Sequence, residues 1–262
     1  MSKPTQPSPD PLALFRLDGR VAIVTGASSG LGGRFARVLD ALGAKLVLAA
    51  RRKDRLEALA AELRDATVFA RDLVEPGATA DLVGATMDRY GRVDIAICNA
   101  GVTNVTPAIR ESTDDFRRVI DVNLIVPFSL ARDAALVMRK QESRGTIIQI
   151  ASVAGIGSFP LLPESAYVAS KSGLIGLTRE LGMQWARYGI RVNAIAPGMF
   201  PSEMTTDLVE NPELRASFEA SVPLRRLGRE GELDGVLALL ASDASSYVTG
   251  QTFVVDGGIT LT

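Results

Sequence analysis

The sequence contains no histidine and a single cysteine, Cys98. Without an imidazole, Ser–His–Asp and Cys–His catalysis and histidine-ligated zinc hydrolysis are excluded. Proton transfer near neutral pH then falls to Tyr, Lys, a carboxylate or Cys98 itself. One cysteine forms neither an internal disulfide nor a Cys-based metal site, so a reducing compartment and no metal are expected. Lysine is scarce as well: it occurs only at 3, 45, 53, 140 and 171, against 24 arginines. Charge of one sign is not in excess, with 29 basic and 30 acidic residues and a net charge of −1. Neither nucleic acid nor an anionic membrane is therefore expected as a partner. No stretch approaches the roughly 18 apolar residues of a membrane span. Residues 1–16, with prolines at 4, 7, 9 and 11, read as a disordered Pro-rich tail with no signal sequence. A cytoplasmic protein is expected.

What is present is an alternation. Short apolar, β-branched runs at 21–25, 45–49, 67–70, 94–98, 146–151, 190–196 and 252–255 read as seven strands. Their continuous apolar character is that of strands covered on both faces. Between them, helical patterns occupy about 30–42, 52–65, 77–90, 113–139, 166–187 and 231–242. Such alternation predicts an α/β, Rossmann-like, doubly wound parallel sheet with helices on both faces, a single domain spanning 17–262. Function in such a sheet sits at the carboxyl ends of the strands. The segment at about 198–223, with prolines at 201, 212 and 223, is long for a connection and reads as a lid.

The first strand runs into Gly26-Ala27-Ser28-Ser29-Gly30-Leu31-Gly32. Glycines at the start of the first βα unit let the backbone approach a pyrophosphate and let the helix N-terminus face it. Gly26, Ser28, Ser29, Gly30, Leu31 and Gly32 are thus candidate cofactor-binding residues. The spacing is G-x-x-x-G-x-G, and it lacks the lysine of a Walker loop. The same residues fit the hydrolase G-x-S-x-G elbow, but that elbow needs a histidine base. The second strand ends in Arg51-Arg52, where an NAD-binding sheet places a carboxylate for the ribose 2′-hydroxyl. Two guanidiniums suit a 2′-phosphate instead, which favours NADP(H) over NAD(H).

Tyr167 and Lys171 stand four residues apart, on one face of a helix. A phenol with an ordinary pKa near ~10 must be shifted by about 4 kcal/mol to act as a base at pH ~7. A neighbouring ammonium and a cationic nicotinamide ring both act in that direction.

With these motifs in hand, the sequence resembles the short-chain dehydrogenase/reductase superfamily, over nearly all of 17–262. The resemblance rests on the glycine loop, Asp72-Leu73, Asn99-Ala100-Gly101, Asn123, Ser152, Tyr167-x-x-x-Lys171, Pro197-Gly198 and the closing Val255-Asp256-Gly257-Gly258. It implies a catalytic tetrad. Ser152 would hydrogen-bond the substrate carbonyl, Tyr167 would pass the proton, Lys171 would hold the nicotinamide ribose and lower the tyrosine pKa, and Asn123 would anchor a water. It also implies cofactor contacts from Asp72, Leu73, Asn99, Ala100, Gly101, Pro197, Gly198, Met199 and Ser202. Three positions depart from the family pattern. Cys98 stands where an asparagine is usual, with a local change in hydrogen bonding expected. Ser202 replaces a threonine, and Ser29 stands where some NADP-dependent members carry a basic residue.

The implied activity is NADP(H)-dependent interconversion of a ketone and a secondary alcohol, as in carbonyl reductases. An alternative is reduction of a 3-oxoacyl thioester on a carrier protein or coenzyme A, for which Arg225, Arg226 and Arg229 offer a basic patch. A reading of another class, a non-catalytic NADP(H)-binding sensor, has no use for the phenol–ammonium pair. Apolar Phe159, Pro160, Leu161, Leu162, Met199, Phe200 and Met204 predict a hydrophobic or aromatic carbonyl substrate. The resemblance further implies a homo-oligomer, commonly a tetramer, built through the helices at 113–139 and 166–187.

Overall fold

The computed structural model describes residues 10–141, 144–159 and 162–261; of Asp207 and Leu208 it describes the backbone. The remaining residues of the expected tail, 1–9, and the apolar pair Pro160 and Leu161 lie outside the described residues.

Seven strands form one parallel sheet: β1 (Val21–Thr25), β2 (Lys45–Ala50), β3 (Ala66–Ala70), β4 (Ile95–Cys98), β5 (Thr146–Ile150), β6 (Arg191–Pro197) and β7 (Thr252–Val255). Their order is β3-β2-β1-β4-β5-β6-β7. The chain therefore winds outward from β1 in one direction, then returns to β4 and winds outward in the other. The loops leaving β1 and β4 diverge at that reversal and open a crevice, the usual ligand site of such sheets.

The helices are α1 (Gly30–Ala41), α2 (Lys53–Glu62), α3 (Ala78–Tyr90), α4 (Thr113–Ile120), α5 (Val126–Met138), α6 (Ser165–Trp185), α7 (Thr206–Glu210), α8 (Pro212–Ser221) and α9 (Asp234–Ala241). Alternate strand residues serve opposite faces. Ala22, Val24, Leu46 and Leu48 pack with Phe35 and Leu39 of α1, Leu56 of α2 and Leu237 and Leu240 of α9. Ile23, Val47 and Ala49 pack with Leu82 of α3, Leu130 and Ala134 of α5 and Leu181 of α6. Both faces being covered explains why the strands read as unbroken apolar runs.

Three expectations change. Part of the expected tail is ordered, since Pro11–Phe15 form a 3-10 helix whose N-cap, Asp10, accepts from the Leu12 amide at 3.0 Å. The single helix expected over 113–139 is interrupted by a π-helical turn, Asp121–Ile125. The segment 198–223 is mostly helical. Its Pro212 occupies the first turn of α8, where a missing N–H costs nothing, and Asn211 caps that helix by accepting from Glu213 and Leu214 at 3.1 Å.

Candidate active site

The crevice is about 750 Å³ and lies at the carboxyl ends of β1, β2, β4, β5 and β6. Its walls include Ser28 and Ser29 from the glycine loop, Gly30 and Leu31 from the first turn of α1, and Arg51 and Arg52 after β2. Asp72, Leu73, the run from Asn99 to Gly101, Ser152, Tyr167, Lys171, Pro197, Gly198 and Ser202 line it as well, whereas Gly32, Asn123 and Met199 of the expected set do not.

The glycine loop is shaped by close approach. A Cβ on Gly26 (φ +66°) would lie 2.7 Å from Asn99 Nδ2, and one on Gly32 would lie 2.3 Å from the Gly26 carbonyl oxygen. Asn99 occupies that space because its amide is spent on the fold: Nδ2 donates to the Thr25 carbonyl at 2.9 Å. The Thr25 hydroxyl accepts from the amides of Asn99 and Ala100 at 3.0 and 3.1 Å, binding β4 to β1. Gly30 differs, since a Cβ there meets only Ser202 Cβ, at 3.5 Å. The surface at Gly30 is thus a cradle that any side chain would fill, at the N-terminus of a twelve-residue helix. A pyrophosphate fits that donor set and that shape.

Arg51 and Arg52 diverge. Arg51 is largely exposed, and its guanidinium lies 4.0 Å from Asp72 Oδ2. Arg52 folds over the glycine loop and donates to Ser28 Oγ at 3.0 Å and Ser29 Oγ at 2.8 Å. It also pairs with Glu203 at 2.9 Å. Arg55, in the first turn of α2, donates to the same Glu203 carboxylate. The two guanidiniums that converge are therefore Arg52 and Arg55, where the sequence pointed to Arg51 and Arg52. No spacing rule links position 203 to positions 52 and 55, although three arginines within five residues were visible.

At the opposite wall, Ser152 caps the 3-10 turn Val153–Gly155 by accepting from Ala154 N at 3.1 Å. The Tyr167 phenol is pushed up to about 12 by burial, with a hydrogen bond from Ser152 pulling it back and the charge of Glu164 adding to the rise. Lys171 is buried and held down to about 8 by loss of hydration. Its Nζ donates to the Ile150 carbonyl at 2.7 Å and lies 5.5 Å from the Tyr167 ring centre. The shift expected from the ammonium and a cationic nicotinamide ring together is opposed here by loss of hydration, which keeps the phenol protonated at neutral pH.

Asn123 does not line the crevice. It is fully buried in the π-helical turn, where the extra residue rotates it toward the loop after β4. There it accepts from Val102 N at 2.9 Å, donates to Val102 O at 2.8 Å, and donates to Ser170 Oγ at 3.2 Å. It clamps the loop carrying Gly101 against α6, next to Lys171: a Cβ on Gly101 would lie 3.4 Å from Asn123 Oδ1 and 3.7 Å from Lys171 Nζ. Glu164, missed from the sequence, accepts from Thr103 Oγ1 at 2.9 Å, and its own burial raises its pKa.

The expected apolar pocket is only partly present. Met199 does not line the crevice; with Phe159 and Leu162 it packs against Val153, Phe218, Val222, Leu227 and Ile259. Phe200 is buried against the sheet, while Met204 remains about half exposed at the crevice. The basic patch is also reduced. Arg226 pairs with Glu232 at 2.7 Å, and Arg225, in a left-handed conformation, donates to the Ala220 carbonyl. Cys98 is buried and its thiol is pushed up to about 12, so it is no nucleophile.

Comparison with known proteins agrees with this geometry. The family described as Enoyl-(Acyl carrier protein) reductase matches residues 26–260. The 3-oxoacyl-[acyl-carrier-protein] reductase FabG of Rickettsia felis is 39% identical over 247 residues, covering 94% of this chain and 99% of that protein. A short-chain type dehydrogenase/reductase from Mycobacterium marinum superposes with a TM-score of 0.93 at 35% identity, covering 97% of this chain and 100% of the other. A gluconate 5-dehydrogenase from Burkholderia cenocepacia, solved in complex with NADP and tartrate, has a TM-score of 0.90 at 34% identity and the same coverage.

Proposed function

Because this chain belongs to the short-chain dehydrogenase/reductase superfamily, and is an oxidoreductase of that type, we propose that it reduces a ketone to a secondary alcohol, with NADP(H) preferred over NAD(H). The observation that carries the reading is the half-buried Tyr167, its phenol kept protonated, in the wall of the crevice with Ser152 and Lys171. When bound, the nicotinamide cofactor supplies the hydride. Ser152 turns its hydroxyl toward the substrate carbonyl oxygen and polarises it. Tyr167, being neutral, gives that oxygen its proton as charge develops there. Lys171, anchored on Ile150, would hold the nicotinamide ribose through its ammonium and stabilises the phenolate that Tyr167 becomes. Asn123 is a positioning residue, holding the loop at 101–103 and Ser170 in register with Lys171.

The preference for NADP(H) is supported by Arg52, poised over Ser28 and Ser29, and by the absence of a carboxylate at the end of β2. The segment 198–223 acts as the lid. Because Phe159, Leu162 and Met199 pack against Val153, Phe218 and Val222, the support for an apolar or aromatic substrate narrows to Phe200, Met204 and the rim around them. A 3-oxoacyl thioester is the second reading, favoured by the name of the Rickettsia felis relative. A homo-oligomer, by family resemblance a tetramer, is supported by exposed Ile125 at the end of the π-helical turn, Phe128 and Leu136 along α5 and Met183 on α6. Among the described residues no helix is long and apolar enough to cross a membrane, and a cytoplasmic location is the reading we adopt.

Consumption of NADPH and NADH with simple ketones, aryl diketones, acetoacetyl thioesters and a sugar acid tests the proposal, beside Tyr167→Phe. NADPH-dependent turnover lost in the variant establishes it. Turnover with NADH alone overturns the cofactor preference, and turnover restricted to the sugar acid overturns the apolar substrate class.

A further inference from the structure

We propose that Arg55 and Glu203 set the discrimination between the two cofactors: Arg55 is the second cation of the site that receives the ribose 2′-phosphate, and Glu203, carried by the lid, is an internal anion that competes for it. The inference rests on the preference for NADP(H) proposed above and names the residues that tune it.

The geometry supports both halves. Arg52 is the N-cap of α2 and Arg55 lies within its first turn, so two guanidiniums gather where the helix dipole already disfavours cations. Such a cluster calls for an anion, and the one it holds is the Glu203 carboxylate. Glu203 pairs with Arg52 at 2.9 Å and with Arg55, while Arg52 keeps its bonds to Ser28 and Ser29. The hydrogen bond from Arg55 is the largest of the contacts that hold the Glu203 carboxyl below its usual range, followed by that from Arg52. The backbone that carries Glu203 is fixed. Ser202 and Thr205 form a reciprocal capping box around it, and Thr205 Oγ1 donates to the Phe200 carbonyl at 2.9 Å.

A 2′-phosphate bound by Arg52 and Arg55 needs the guanidinium edges that Glu203 uses. NADPH must therefore displace Glu203, whereas NADH, with a neutral 2′-hydroxyl, leaves the pair in place. Glu203 thus lowers the advantage of NADPH, and its release uncouples the start of the lid from α2.

Equilibrium binding to the full-length protein tests this without turnover. NADPH and NADH are followed by nicotinamide fluorescence, and adenosine 2′,5′-bisphosphate by calorimetry, for the wild type, Glu203→Gln, Arg55→Met and Arg52→Met. Glu203→Gln is expected to tighten NADPH and the bisphosphate about fivefold, the scale of one exposed ion pair, with NADH within twofold. Arg55→Met is expected to loosen the same two ligands about fivefold and to spare NADH. Unchanged NADPH binding in Glu203→Gln overturns the proposal, as does equal tightening of both cofactors. Selective loosening of NADH overturns it too, because Glu203 would then be an acceptor for the 2′-hydroxyl. Arg52→Met separates the two levels. If it erases the NADPH advantage while Arg55 and Glu203 are silent, or leaves the advantage intact, this inference alone fails; if the wild type binds NADPH no more tightly than NADH, the preference for NADP(H) fails and this inference with it.

Discussion

Lys171 gives a hydrogen to the carbonyl oxygen of Ile150, 2.7 Å away, and this bond ties the buried ammonium to the end of β5, two residues before Ser152. The lysine is therefore positioned by the sheet and independently of the phenol. That separation has consequences for stability as well as for catalysis.

A buried lysine held at about 8 binds its proton more weakly than the unfolded chain does, where its ordinary value is 10.5. Below pH ~8 the folded protein carries a disfavoured charge. Between about 8 and 10.5 the unfolded chain stays protonated while the native lysine does not, so the stability contributed by this group rises with pH. Lys171→Met is expected to be more stable than the wild type at pH 7, by about 3 kcal/mol at most, and the gap is expected to close by about pH 10.5. Urea unfolding of the cofactor-free proteins at both pH values measures it. A gap independent of pH would show that packing, and not ionisation, is responsible.

Tyr167→Phe removes the only hydroxyl assigned to proton transfer and little volume. A loss of about 10²–10⁴-fold in ketone reduction is expected, with NADPH affinity within a few-fold of the wild type. Stopped-flow turnover and fluorescence titration on the same preparation read the two quantities separately.

Glu164 raises the Tyr167 pKa through its charge. Glu164→Gln removes that charge and makes the phenol easier to ionise. Reduction needs the protonated phenol, so the alkaline limb of its pH–rate profile is expected to move to lower pH. Oxidation of the alcohol needs the phenolate, so its rise with pH is expected to begin earlier. Profiles that do not move would place Glu164 outside the electrostatics of the site.

Gln149 is fully buried in β5, and its side-chain oxygen and nitrogen have no hydrogen-bond partner among the described residues. In the sheet register it stands opposite Cys98, the position where the family pattern has an asparagine. Gln149→Met removes the unpaired groups at nearly constant shape and is expected to stabilise the fold by about 1–3 kcal/mol. Cys98→Asn is expected to stabilise the wild type and to lose that benefit in the Gln149→Met background. Thermal unfolding of the four proteins completes the cycle, and additive effects would separate the two sites.

How much was legible in the sequence follows from the range of each interaction. The strands were, because burial on both faces leaves an unbroken apolar run, as in β1 and β2. The pairing of Tyr167 with Lys171 was also legible, since helical spacing places them together. The π-helical turn was not: its residues differ in no obvious way from helical neighbours, and one inserted residue is a matter of packing. The helices α7 and α8 were hidden because Pro201, Pro212 and Pro223 read as breakers, although Asn211-Pro212-Glu213 is a helix start. The contact of Glu203 with Arg52 and Arg55 joins positions about 150 residues apart, and only the fold brings them together. The packing of Met199 away from the crevice likewise depends on α8, which supplies Phe218.

The strand order also bears on how the chain assembles during synthesis. β1, β2 and β3 are neighbours in the sheet as they are in sequence, and so are β4 through β7. Each set can grow by adding the next strand to the last, through connections of up to 54 residues, those between β6 and β7. The longest closure joins β1 to β4, with 69 residues between them. It is secured by the buried Asp94 carboxylate, which accepts from Val21 N at 2.9 Å and pairs with Arg92 at 2.7 Å. The slow event in folding is therefore expected to be this seam, along which the cofactor crevice also forms. A ribosome-bound chain then becomes competent for ligand only after β4 has emerged and closed on β1.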